Sequence, residues 1–155
     1  MNSEQIALVQ DSFEAVRPIS DTAAEIFYGR LFEVDPSLKP MFRGDMATQG
    51  RMLMSVLSAA VKGLSDLDGL APVLRSLGAR HYVYGVRDEH YVTVGTTLLW
   101  TLDQGLGEKF TPEVRAAWTA AYGLLADVMQ FGALEAERQQ RHQRESAPES
   151  EMAAA

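Results

Sequence analysis

The chain of 155 residues contains no cysteine. That absence removes disulfides, thiolate ligands, iron–sulfur clusters and cysteine-rich zinc sites together, so any metal must be held by histidine, carboxylate or tyrosine. Histidine is scarce as well, with only His81, His90 and His142 in the whole sequence. No run approaches the roughly 18 apolar residues of a spanning helix. The amino terminus, MNSEQIALVQDSFEAV, also lacks the basic region and continuous apolar core of a signal peptide. A cytoplasmic protein without a membrane partner is expected. Positive charge is in deficit, 14 Lys and Arg against 21 Asp and Glu for a formal charge of -7, so a phosphate backbone would be approached against net repulsion. Nucleic acid is not an expected partner. The alternating pattern of strands and any internal repeat are missing too, which leaves an all-α class with six or seven helices.

The length is that of one domain, and 46% hydrophobic with 23% charged residues is the composition of an ordinary globular protein. Helical periodicity runs through most of it. Ile6, Val9, Phe13 and Val16 share a first face, with Asn2 and Gln5 spaced as a capping box and Pro18 as the stop. Ala24, Phe27, Tyr28, Leu31 and Phe32 carry a second stripe, starting after Ser20. Pro36 and Pro40 then impose a corner. A third stripe, from Thr48 to Gly63, holds Gln49, Leu53, Val56, Leu57 and Ala60. Leu70, Leu74, Leu77 and His81 predict a short helix with His81 at its inward end, released at Gly85. Asp88 is the expected cap for a helix lined by Tyr91, Val94, Gly95, Leu98 and Leu102. Thr111, Pro112 and Glu113 open a last helix carrying Val114, Trp118, Ala121, Tyr122, Leu125, Val128 and Met129. Large apolar residues thin out after Ala133. The expected domain is therefore residues 1–133, followed by a charged segment, 134–155, of fraying helix and disordered tail.

Four polar residues stand on these apolar stripes: Tyr28, Gln49, His81 and Tyr91. Each requires a partner, because an interior polar group without one is costly. The plain reading is that His81 is a satisfied core histidine, that the tyrosine hydroxyls reach backbone carbonyls or solvent, and that Gln49 is exposed. The sharper reading is that they face one pocket. A single inward histidine can hold only a metal that brings most of its own ligands, and a haem does so, its porphyrin supplying four nitrogens and needing one axial imidazole.

Five blocks in order and spacing, EIFYGRLFEVDPSLKPMF, TQGRMLMSVL, LRSLGARHYVYGV, DEHYVTVGTTLL and AAWTAAYGLLADVM, resemble the single-domain bacterial haemoglobins and the globin half of flavohaemoglobins. The resemblance covers roughly residues 4 to 130. It implies a globin fold around a haem pocket holding haem b, iron protoporphyrin IX. His81 matches the proximal histidine that binds the iron, and Tyr91 a tyrosine packed near it. His90 matches a position outside the haem's first shell, and His142 falls in the expected tail. Phe42 matches the corner phenylalanine that stacks on the haem, and Val86, after the proximal histidine, another cofactor contact. On the distal side Tyr28, Gln49 and Leu53 match the ligand-facing tyrosine, glutamine and apolar residue. Arg51 and Arg80 lie near enough to be candidates for the haem propionates.

The resemblance also implies diatomic ligands, namely dioxygen, carbon monoxide and nitric oxide. Its first functional expectation is a protein that binds, stores or delivers dioxygen. The alternative is a nitric oxide dioxygenase, and a haem-based gas sensor is a third class. Two departures matter. Flavohaemoglobins continue into a flavin and nicotinamide reductase, for which this sequence has no room, so electrons are expected from a separate reductase. They also place a glutamate beside the proximal histidine. Here that position falls on or next to Ala133, and Glu135 lies two residues on, about 200° around a helix. The contact is not expected, and with it goes the push toward oxygen–oxygen cleavage.

Overall fold

A computed structural model describes residues 1–146, which form six α-helices and no strand: α1 (Ser3–Val16), α2 (Ser20–Val34), α3 (Met46–Gly63), α4 (Leu67–Val83), α5 (Asp88–Leu106) and α6 (Pro112–Glu145). Three stretches of 3-10 helix, Arg17–Ile19, Pro36–Met41 and Gly107–Lys109, fall between them. Among the described residues no helix is long and apolar enough to cross a membrane.

Local chemistry sets most helix ends. Asn2 Oδ1 accepts from the Gln5 N–H at 2.8 Å while the Gln5 side chain accepts from the Asn2 N–H at 3.2 Å, completing the expected capping box. Thr111 Oγ1 accepts from the Val114 N–H at 3.2 Å, with Pro112 in the first turn. Three boundaries before α6 differ from expectation. α3 begins at Met46, two residues early, because Asp45 accepts from the Ala47 and Thr48 amides. α4 is not short: Asp66 caps it and it runs through Pro72 for 17 residues. α5 is capped at Arg87 rather than Asp88, since the His90 ring takes the Arg87 N–H.

α6 does not stop at Ala133. It continues to Glu145, because Ala, Glu, Gln and Arg are strong helix formers even without an apolar stripe. Glu137 and Arg141 pair at 2.7 Å along it, and the Tyr82 hydroxyl donates to Gln140 Oε1 at 2.8 Å, tying the extension to α4. The rest of the expected tail, 147–155, lies outside the described residues.

The core joins α1, α2, α5 and α6 through Val9, Phe13, Phe27, Leu31, Leu98 and Trp118. Trp118 Nε1 donates to Ser12 Oγ at 2.8 Å, and the Ser12 hydroxyl donates in turn to the Leu8 carbonyl at 2.6 Å, so both buried polar groups are satisfied. α4 is held differently, packing chiefly on α6. At their crossing a Cβ on Gly78 would collide with the Met129 carbonyl, and one on Gly132 with the Arg75 carbonyl. Each glycine therefore lets one helix backbone lie directly on the other.

Gly78→Ala and Gly132→Ala should each destabilise the fold by about 2 kcal/mol or more, because backbone cannot yield as a side-chain tip can. Gly123→Ala, on the same α6 with open space beside it, should instead stabilise by about 0.5–1 kcal/mol. Urea unfolding of the three variants tests this, and equal effects would contradict the close crossing.

Candidate functional site

His81 sits in the last turn of α4, half-buried beside the inward positions Leu70, Leu74 and Gly78. Its Nδ1 lies 2.8 Å from the Leu77 carbonyl oxygen. A carbonyl can only accept, so Nδ1 carries the proton and Nε2 keeps a free lone pair. Burial pushes the imidazole pKa below its ordinary value and the Arg80 charge adds to this, while the Leu77 bond opposes them. The ring is thus biased toward its neutral form and held in one orientation. Past it the backbone turns, with Val86 donating its N–H to the His81 carbonyl at 3.0 Å and Gly85 at φ +94°. Among the described residues no group of three or more His, Asp or Glu side chains could hold a bare metal ion. A metal on His81 would have to bring its remaining ligands with it.

A second cluster forms around Tyr28 on α2. Its hydroxyl donates to the backbone carbonyl of Gln49 at 3.3 Å, joining α2 to α3. Phe42 meets the Tyr28 ring edge-on at 5.2 Å, and Phe32 lies over it at 5.9 Å. The structure therefore brings Tyr28, Phe42 and the Gln49 backbone together. The Gln49 side chain goes elsewhere: its Nε2 donates to the Arg43 carbonyl at 2.8 Å, closing the corner before α3. Leu53, one turn on, is half-buried against the core and borders an apolar cavity of about 20 Å³. That is room for roughly one water molecule and no planar cofactor.

α3 and α4 touch each other little, because α3 packs on α2 and α4 on α6. Large apolar side chains on both are left open, Met52 and Val56 being 57% and 44% exposed on α3, Val73 60% on α4 and Tyr84 74% just past its end. Met52 follows Gln49 by three residues and precedes Val56 by four, which sets all three on one helical face.

Tyr91 carries a buried hydroxyl with no hydrogen-bond partner, an anomaly in a protein interior. Tyr122 donates its own hydroxyl to the Tyr91 carbonyl, with Gly95 making room for its ring. No signal in the sequence marked that contact. His90 uses Nδ1 to accept the Arg87 N–H at 2.9 Å, which is a helix-capping role. His142 and Glu135 are exposed on α6, and neither bonds to His81. Arg51 is exposed and bonds to Thr48 Oγ1, and Arg80 is exposed beside His81.

Burial pushes the Tyr28 phenol up to about 12, and raises Tyr91 and Tyr122 as well. A folded-state pKa above the unfolded value means that the contribution to stability is full below pH 10 and is lost as pH rises from 10 toward about 12. Tyr28→Phe should remove a late step from the tyrosinate absorbance titration and flatten the alkaline loss of stability. A Tyr28 midpoint at the ordinary value would contradict its burial.

The globin family model matches residues 25–129. Among curated relatives, a flavohemoprotein of Bordetella parapertussis is 32% identical over 132 residues, and one of Bacillus subtilis is 29% identical over 130. These alignments take in 83% and 82% of this chain, yet it spans only 33% of the length of either relative. A bacterial globin from Campylobacter jejuni superposes with a TM-score of 0.74 at 25% identity, covering 90% of this chain and 99% of that one. An engineered carbene transferase from Rhodothermus marinus superposes at 0.81 with 23% identity, covering 91% and 99%, which speaks to the fold alone. With six helices in this arrangement and a neutral histidine at the end of α4, the chain belongs to the globin family of haem proteins.

Proposed function

We propose that this chain holds haem b on His81 and binds dioxygen reversibly, as a carrier or store. The observation that carries the reading is the His81 bond to Leu77, which fixes the Nδ1 proton and offers Nε2 to an iron. Apolar side chains suited to a porphyrin face are exposed, Met52 and Val56 on α3, Val73 on α4 and Tyr84 just past its end, and the Tyr91 hydroxyl is buried without a partner. When bound, the haem supplies an iron with one coordination position left for a diatomic gas. Leu53, Phe42, Met52 and Val56 would exclude water from it, while Val86 and Tyr91 would bracket the histidine side.

Tyr28 is the donor for the ligand. Its phenol stays neutral far above physiological pH, so it always has a proton to give. Its bond in the present arrangement is to a carbonyl at 3.3 Å, a long contact that a polar ligand could replace. Gln49 would have to leave the Arg43 carbonyl to become a second donor. The partner of His81 is a neutral carbonyl and not a carboxylate, with Glu135 exposed, so the imidazole gains little anionic character. That favours reversible binding over oxygen–oxygen cleavage.

A second reading is nitric oxide dioxygenation with electrons from a separate reductase. It is favoured by the 32% identity to a flavohemoprotein, of which this chain spans only a third. Sustained nitric oxide consumption with a generic reductase would favour it, whereas a single stoichiometric burst would favour the carrier. For the carrier, Tyr28→Phe should speed dioxygen dissociation roughly tenfold, as expected for loss of about 1.4 kcal/mol. Carbon monoxide dissociation, measured by stopped flow on the same protein, should change little. Equal effects on both gases would remove Tyr28 from the ligand site.

A further inference from the structure

The extension of α6 past Ala133 contributes no residue to the hydrophobic core, yet it stays helical to Glu145. Ala133, Ala136, Glu137 and Gln140 recur along it at steps of three, four and seven residues, which is one helical face. On that face Ala133, Ala136 and Glu137 are half-buried, and Gln140 Oε1 accepts from the Tyr82 hydroxyl at 2.8 Å. Among the described residues this is the one side-chain hydrogen bond between α4 and α6. Tyr82 directly follows His81.

The end of α4 needs such a tie. Arg80, Val83, Tyr84 and Gly85 are exposed, Val83 at 76%, so apolar packing does little to hold the last turn. Terminal turns fray, because their final carbonyl groups lack helical partners. The bond from His81 Nδ1 to the Leu77 carbonyl spans this turn and lasts only while residues 77–81 stay helical.

We propose that residues 134–145 of α6 are a strap on the end of α4, fastened by the Tyr82–Gln140 bond, and that these two are positioning residues for His81. The proposal rests on the reading that His81 holds the iron. Neither side chain bonds to the imidazole. They act by keeping the turn closed, so that Nδ1 stays on its carbonyl and Nε2 keeps one direction. A turn that opens more often gives up both.

Hydrogen exchange on the full chain, before hemin is added, reads the strap by itself. Tyr82→Phe and Gln140→Ala should each quicken exchange of the amides of residues 81–86 roughly threefold to tenfold, the loss of one net hydrogen bond, with α1 and α2 unchanged. Gln140→Glu keeps an oxygen to accept from the hydroxyl and should hold the parent rates. Tyr82→Phe and Gln140→Ala combined should be no faster than either alone. With hemin bound, each of the two should shift the ferrous iron–histidine stretching frequency and speed hemin release to an excess of a competing haem-binding protein. Gln140→Glu should restore both. Unchanged exchange in Tyr82→Phe and Gln140→Ala overturns the strap. Quickened exchange with unaltered stretch and release overturns the positioning role. A parent that binds no hemin overturns the haem reading and the positioning role with it, and exchange that still responds tells that failure from a failed strap.

Discussion

The backbone contact between α4 and α6 is the constraint on which the rest of the site depends. Gly78 and Gly132 allow the two helices to approach until carbonyl groups fill the space that side chains would otherwise take. α4 is thereby committed to α6, and it touches α3 little. His81 lies three residues after Gly78, so the position of the imidazole is set by the same contact.

Electrostatics then determines what the site can do. Histidine and tyrosine are both held neutral, the first because burial lowers its pKa and the second because burial raises it. One offers a lone pair and the other a proton. The backbone carbonyl of Leu77 orients the ring without making it strongly basic. A carboxylate there would shift the chemistry toward bond cleavage, and the exposed Glu135 does not supply it.

Much of this was legible before any coordinates. The stripes placed Tyr28 and His81 inward, the caps at Asn2 and Thr111 were correct to the residue, and Pro36 and Pro40 located the corner. What escaped had physical reasons. α6 continues past Ala133 on helix propensity and a tyrosine contact from α4, neither of which leaves an apolar period to read. The Gln49 amide donates to the Arg43 carbonyl six residues back, a contact set by the loop and not by the helical face. The close crossing depends on two glycines 54 positions apart, and nothing local to either announces the other. The lone hydroxyl of Tyr91 is likewise a property of packing among separate helices.

The central claim is that His81 is the residue on which a haem is held. The most direct measurement is the absorption spectrum of the purified chain titrated with hemin, ferric and then ferrous, beside His81→Ala. The account predicts a one-to-one end point with a globin-like Soret band and a ferrous form that takes up and releases dioxygen, with the histidine-ligated spectrum lost in the variant. A chain that binds no hemin, or a variant whose spectrum matches the parent's, would contradict it.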